Sequence, residues 1–415
     1  MSYKMKIFSC FVIGLLLIMV LAAYSQERVL AEVEISETAG IDREDEFVEI
    51  DFQSSVKAFE KYKDNLVARE SISGQRTYCQ VIYCEKASTD SIVSFSVVFP
   101  ISVKANSSQR FTIQQSSIPE KFLSDLKLSG SGIDLIIENK FYRADLSRST
   151  DSEAKSHASG QLRELLLKLG FNQLLFRTEN RMHWAPNFQR ADADEYQTIA
   201  GWDNPADYRL YSGPYLVQTV RSDSAPEHPE IYLTASYNFF AGKPFFIFVS
   251  LMEVVRDIEL KLLRNDEMTM DSMFTNIAFQ RPDGRIEDYS FSERYPFLEK
   301  QPIENETLWL CFYHKDRKYG FGSIRLKYDN TDRFGNISPT FLPHTKISDG
   351  AEGGKYWNRR LINDHPLFVP AGSRYLEKNA YLVFAVDESD PCAEIRYWAE
   401  RLRQPLLVKT IKYFE

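Results

Sequence analysis

The chain has 415 residues, 44% of them hydrophobic, and a formal charge of −8. That length accommodates two or three domains and a sizeable core. Its mildly acidic balance argues against nucleic acid or anionic membranes as partners, but an acidic polysaccharide needs only a locally basic groove.

Lys4 and Lys6 precede an uncharged apolar run from Ile7 to Ala23, and Ala23-Tyr24-Ser25 places small residues where a signal peptidase reads. Residues 1–25 are therefore expected to be a signal peptide, and the mature protein to be secreted or periplasmic, free of the membrane. The competing expectation is an uncleaved anchor, because seventeen apolar residues can just span a bilayer. Loss of Lys4 and Lys6 would take the formal charge from −8 to −10.

Residues 26–45 are polar and read as a flexible lead-in. From Glu46 to Phe52 polar and apolar residues alternate, the mark of a half-buried strand. Thr77–Tyr83, Ser91–Val98 and Ser107–Ser117 follow, with Gly74, Asn106 and Pro119 as turns. These predict a small β-sandwich over residues 46–125. Beyond it lie longer, more aromatic strand candidates: Ile133–Ile137, Phe141–Leu146, Tyr215–Val220, Ile231–Phe240, Pro244–Glu253, Ile258–Leu263, Leu308–Tyr313, Phe321–Tyr328 and Ala380–Val386. Strands at short spacing with turns between them favour antiparallel sandwiches over βαβ units.

Ser159–Gly170 reads equally as helix or strand. Pro391–Arg403 is a clearer helix: Pro391 suits the first turn, Ile395, Trp398 and Leu402 share a face, and Pro405 stops it. Leu406–Phe414 is a final strand. The fold class expected is all-β, a small N-terminal sandwich followed by a large antiparallel domain over 126–415 with one short C-terminal helix. Cys79, Cys84, Cys311 and Cys392 are too few for a disulfide scaffold, so no essential disulfide and free, buried thiols are expected.

The run Ile137-Glu138-Asn139-Lys140-Phe141-Tyr142-Arg143-Ala144-Asp145-Leu146, followed by Gly160-Gln161-Leu162, resembles the start of the β-supersandwich of galactose-mutarotase-like proteins. Tyr211-Ser212-Gly213-Pro214-Tyr215, Ala235-Ser236-Tyr237 and Ala241-Gly242-Lys243-Pro244 are similar to later strands of such domains, including those of rhamnogalacturonan exolyase-like proteins. The resemblance implies a supersandwich fold and a sugar context. It transfers no catalytic residue, because no mutarotase-type His and Glu pair aligns, and no stretch of the sequence reads as the helical toroid found beside many such domains.

Four polar-aromatic clusters are the candidate chemistry: Arg181-Met182-His183-Trp184; Tyr196 with Trp202-Asp203-Asn204; Arg264-Asn265-Asp266-Glu267; and Tyr356-Trp357-Asn358-Arg359-Arg360. Aromatic faces stack on sugar rings and Arg forks pair with uronate carboxylates. Elimination beside a carboxylate needs a base, for which His183 or Tyr356 is suited, and a group that neutralises charge, such as Arg360, Arg264 or Asn358. Arg181, Trp184, Trp202, Arg264, Asn265, Glu267, Trp357 and Asn358 are expected to bind substrate. Hydrolysis needs two facing carboxylates, and Asp203 with Glu267 is the best pair.

Structural roles compete with each of these. His183 can be a packed histidine, residues 264–267 a charged turn, and Arg359-Arg360 a solvated edge pair. His157, His183, His228, His314, His344 and His365 show no ligand spacing, so no metal and no cofactor are expected, although loop carboxylates remain compatible with a structural Ca²⁺. The leading expectation is a polysaccharide lyase acting on an acidic glycan by β-elimination. The alternatives are a non-catalytic glycan-binding protein and a glycoside hydrolase. N-terminal sequencing of exported material should find the mature chain starting at or near Gln26; a sequence that retains Phe8 to Ala23 would make the protein anchored instead.

Overall fold

The computed structural model describes residues 28–86, 91–116, 124–148, 160–168, 173–176, 183–184, 186–195, 197–198, 207–225, 227–270, 273–349 and 354–414. The expected signal peptide, Arg181 and Trp202-Asp203-Asn204 lie outside them. Contacts divide the chain into two units, residues 1–122 with 405–415, and residues 123–404.

The first unit contains β1 (Val29–Ser36), β2 (Arg43–Ser55), α1 (Val56–Tyr62), β3 (Leu66–Glu70), β4 (Arg76–Tyr78), β5 (Gln80–Lys86), β6 (Ile92–Val103) and β7 (Ser108–Gln115). Strands β2, β6 and β5 make one sheet, while β1, β7, β3 and β4 belong to another. Phe99 from the first sheet meets Phe111 from the second edge-on at 5.7 Å, inside a shared apolar core. The lead-in expected over 26–45 is corrected here. Ala31, Val33 and Ile35 are buried while Glu32 and Glu34 alternate with them, so the segment forms an interior strand.

The second unit begins with β8 (Lys127–Ser131), β9 (Asp134–Glu138), β10 (Tyr142–Asp145), β11 (Glu164–Leu167) and β12 (Gln173–Phe176), which form a five-stranded sheet in sequence order. The open reading of Ser159–Gly170 resolves as strand over Glu164–Leu167, where Leu165 and Leu167 point into the core. Next come β13 (His183–Trp184), β14 (Asn187–Arg190), β15 (Gln197–Thr198), β16 (Asp207–Ser212), β17 (Leu216–Ala225), β18 (His228–Phe240), β19 (Phe245–Val254), β20 (Ile258–Met270), β21 (Asn276–Gln280) and β22 (Ile286–Ser290). After α2 (Phe291–Lys300) follow β23 (Ile303–Glu304), β24 (Trp309–His314), β25 (Tyr319–Asp329), β26 (His344–Asp349), β27 (Lys355–Ile362), β28 (Leu367–Val369) and β29 (Arg374–Ala385). Finally α3 (Ala393–Arg403) leads to β30 (Leu407–Tyr413).

A nine-stranded antiparallel sheet runs β16-β17-β18-β19-β29-β25-β24-β21-β22. An eight-stranded sheet runs β15-β14-β20-β27-β26-β23, with β13 and β28 also paired to β20. One core takes Tyr142 from the five-stranded sheet, Leu263, Met268 and Trp357 from the eight-stranded sheet, and Tyr237, Phe321 and Tyr381 from the nine-stranded sheet. The nine-stranded sheet has a second apolar face. Along β29, Tyr381 and Val383 enter the first core, whereas Ala380, Leu382 and Phe384 join Trp309, Cys311 and Ile324 under α3. Burial on both faces explains the unbroken apolar run that marks this strand in the sequence. The fold is all-β, as the sequence predicts, with α3 its one C-terminal helix. The terminal strand β30 pairs with β1 (Ala31 opposite Tyr413) and therefore joins the first unit, not the domain that the sequence reading places it in.

Helix α3 sits where β25 has no side chain. A Cβ on Gly322 would lie 2.6 Å from Ile395 Cδ1, 2.7 Å from the Leu310 carbonyl oxygen and 2.8 Å from Cys311 Cβ. Because one obstacle is backbone, Gly322→Ala should lower stability by about 1–3 kcal/mol, the range for overpacking. Urea denaturation measures this; an unshifted midpoint would show that the helix yields at no cost.

Candidate functional site

The sequence Arg264-Asn265-Asp266-Glu267 lies inside the thirteen-residue strand β20, not in a turn. Asn265 pairs with Arg359 and Met268 with Trp357, so β20 has one residue more than β27 between those points, a β-bulge. Asp266 makes it with φ 44°, a left-handed conformation uncommon outside glycine. The bulge divides the four residues between the two faces of the sheet.

Asn265 and Asp266 turn inward. Asp266 is fully buried and accepts hydrogen bonds from Ser323 Oγ (3.0 Å), Tyr328 OH (2.9 Å), Trp357 Nε1 (3.1 Å) and Tyr381 OH (3.1 Å). Arg325 Nε lies 3.5 Å from its carboxylate. Its own N–H donates to Glu377 Oε2 at 2.8 Å, and Glu377 also accepts from Ser250 Oγ (3.1 Å) and Asn379 Nδ2 (3.0 Å). Burial, reinforced by the Asp266 charge, pushes Glu377 up to about 8. Arg359 lies over the Tyr328 ring at 3.8 Å, donates to Asn305 Oδ1 and is lowered to about 10 by burial.

Arg264 and Glu267 turn to the opposite face, joined by an ion pair of 3.3 Å. In register, Asn187 lies opposite Arg264 and Arg264 opposite Arg360. On β27, Tyr356, Asn358 and Arg360 share this face by alternation, and β26 adds His344 opposite Arg360 and Lys346 opposite Asn358. Arg360 donates to Asn358 Oδ1 (3.2 Å), Asn363 Oδ1 (2.6 Å) and Asp364 Oδ2 (2.9 Å). Asn187 Oδ1 and Asn358 Nδ2 are buried without hydrogen-bond partners among the described residues. Burial raises Glu267 despite the opposing charges of Arg264 and Arg360 and the Asn187 amide. Tyr356, His344 and Lys346 are half-buried at the margin.

His344 carries a signal that spacing in the sequence could not show. Its Nδ1 lies 2.7 Å from the Leu342 carbonyl oxygen, so Nδ1 carries the proton and Nε2 is the basic nitrogen. Desolvation, with the charges of Arg360 and Lys346, outweighs that hydrogen bond and holds the imidazole below its usual pKa. Leu342 adopts φ 49°, a strained conformation for a leucine.

The sequence candidates therefore separate. Arg264, Glu267, Tyr356, Asn358 and Arg360 meet on one face. Asn265 is corrected to the inner face, beside Arg359. Trp357 is no sugar platform: it is fully buried, with Phe321 stacked at 6.2 Å and Phe312 edge-on at 5.0 Å. Backbone pairing sets His183 opposite Met268 and Trp184 opposite Glu267, but their side chains lie outside the described residues, as do Arg181 and Trp202. Among the described residues no group of three His, Cys, Asp or Glu side chains could hold a metal ion.

No family model matches the chain, and no curated protein matches it. Among solved structures, it resembles a protein in the glycosyl hydrolase family 38 from Enterococcus faecalis, with 10% identity and a TM-score of 0.51 over 93% of this chain and 48% of that one. It also resembles an alpha-mannosidase from Enterococcus faecalis V583, with 10% identity and a TM-score of 0.52 over 93% and 46%. Such identity speaks to the fold alone, and the chain spans less than half the length of either protein.

Glu377 makes the buried network around Asp266 sensitive to pH. Its folded-state value of about 8 exceeds the ordinary 4.5, so between those limits the folded state keeps a proton that the unfolded state loses. Stability should fall as pH rises through that window, by at most about 1.4 kcal/mol per unit from this group. Glu377→Gln should remove that part of the slope in denaturation series at pH 5 to 8; parallel slopes for the two proteins would place the proton elsewhere.

Proposed function

We propose that the chain is an exported carbohydrate-active protein that cleaves an acidic glycan by β-elimination on this face of the eight-stranded sheet. The observation that carries the reading is the convergence of Asn187, Arg264, Glu267, His344, Tyr356, Asn358 and Arg360, drawn from four strands, on one face. The arginine pair takes the uronate carboxylate and offsets charge that builds there as the C5 proton leaves. His344 Nε2 accepts that proton, being neutral and uncommitted near neutral pH. Glu267, kept protonated more readily by burial, gives a proton to the departing O4 oxygen, so a C4–C5 double bond forms and the chain breaks. Tyr356 and His183 are the other candidate bases. The fold likeness to two proteins from glycoside-processing families supports a sugar context, and the predicted signal peptide supports export.

A second reading, binding without cleavage, is favoured by a groove of about 860 Å³ in the first unit, within the size range of ligand sites. Asp51, Gln53, Ser54 and Ser94 supply polar groups along it, and the exposed rings of Tyr413 and Phe414 supply stacking surface. Its loss of retention on glycan affinity gels in Tyr413→Ala would identify that reading.

Ultraviolet absorbance from an unsaturated uronide distinguishes the two when uronate polysaccharides are supplied. His344→Asn should lower that rate by about 10²-fold or more with folding retained. The wild-type rate should rise with pH as His344 loses its proton, at a pKa below the ordinary histidine value, and fall again once Glu267 loses its own. No new absorbance with any uronate polymer, together with retention on the gels, would replace elimination by binding. A fully active His344→Asn would move the base to Tyr356 or His183.

A further inference from the structure

We propose that Cys311 and Cys392 form a disulfide that staples helix α3 to the nine-stranded sheet during maturation in an oxidising compartment. Both thiols are buried in one apolar cluster with Ile395 and Ala399. Cys311 lies on β24 directly opposite Gly322 of β25. The missing side chain at Gly322 opens a site that Cys311 Cβ and Ile395 Cδ1 share. Cys392 precedes Ile395 by three residues, so both lie on the same side of the helix. As the residue capping α3, Cys392 makes no side-chain capping bond, and its thiol instead meets that of Cys311 side chain to side chain.

The step is a thiol–disulfide exchange with a small-molecule or protein disulfide as oxidant. The two thiols lose two protons and two electrons as their S–S bond forms, and the oxidant's S–S bond is reduced to two thiols. Burial pushes the Cys311 thiol well up, which leaves little reactive thiolate in the folded protein. The exchange therefore belongs to folding, before α3 closes over β24. The bond would close a loop of about 80 residues, where the entropic effect of a crosslink is large. Cys79 is buried as well, but it belongs to the first unit.

The setting rests on export, but the test does not. The full chain is refolded with oxidised and reduced glutathione, alkylated, digested without reduction and mapped by mass spectrometry. The expected result is one crosslinked species joining the peptides that carry Cys311 and Cys392. Reduction should then lower the wild-type Tm by about 5 °C or more, a shift that Cys392→Ala should not show. Recovery of the two cysteines on separately alkylated peptides overturns the proposal. So does a crosslinked wild-type whose Tm is indifferent to reductant.

Discussion

A carboxylate closed off between two sheets must be neutralised by donors aimed at it, and Asp266 sets that condition for the second unit. Its donors come from three further strands: Ser323 and Tyr328 from β25, Trp357 from β27 and Tyr381 from β29. Two of these strands belong to the nine-stranded sheet and one to the eight-stranded sheet. Sliding either sheet by one residue would turn a donor away and leave a buried charge unmet, so the network fixes register as well as adding attraction. Glu377 completes it by holding the backbone N–H of Asp266, the point at which β20 departs from regular geometry.

The same departure builds the candidate site. Without the extra residue, strict alternation would put Arg264 and Glu267 on opposite faces of β20. With it they share one face and pair at 3.3 Å. The inner carboxylate and the outer acid–cation pair are consequences of a single backbone feature. A substitution that relaxed the bulge would change the register of the core and dismantle the outer cluster together.

Much of the fold was legible because it rests on periodicity. Strands with one buried face alternate, as Glu46–Phe52 does, and the second half of β29, residues 380–385, reads as a continuous apolar run because both its faces are covered. The first strand was missed because Glu32 and Glu34 made a polar segment out of what is alternation around Ala31, Val33 and Ile35. The site was legible only in part. Arg-Asn-Asp-Glu has the composition of a turn, and nothing local shows that four charged or polar residues continue a strand. The hydrogen bond from Asp266 to Glu377 joins residues 111 apart, and no spacing rule reaches that far. His344 looked like one isolated histidine among six; its significance comes from facing Arg360 across two strands and from the Leu342 carbonyl that sets its tautomer. Trp357 misled for the opposite reason, since an aromatic residue beside arginines suits a sugar site and an interior alike.

Burial on the outer face is graded, and the gradient matches what the proposed elimination would ask of each group. Arg264 and Arg360 sit side by side in register, two like charges in a medium where Coulomb forces are strong. Glu267 and Asp364 offset part of that repulsion, and an anionic ligand would offset more of it than it could in water. These groups need only supply charge, and shielding increases its effect. His344 and Tyr356 would have to exchange protons with substrate and solvent, and they are the half-buried members. Glu267 lies between the two roles: shielded enough to favour its protonated form, yet held against Arg264, which would stabilise the anion left by the proposed proton transfer. In the proposed reaction, an acid that is easy to protonate at rest and whose conjugate base is already paired would turn over without moving the sheet that carries it, and a β20 locked in place by the Asp266 network suits that demand.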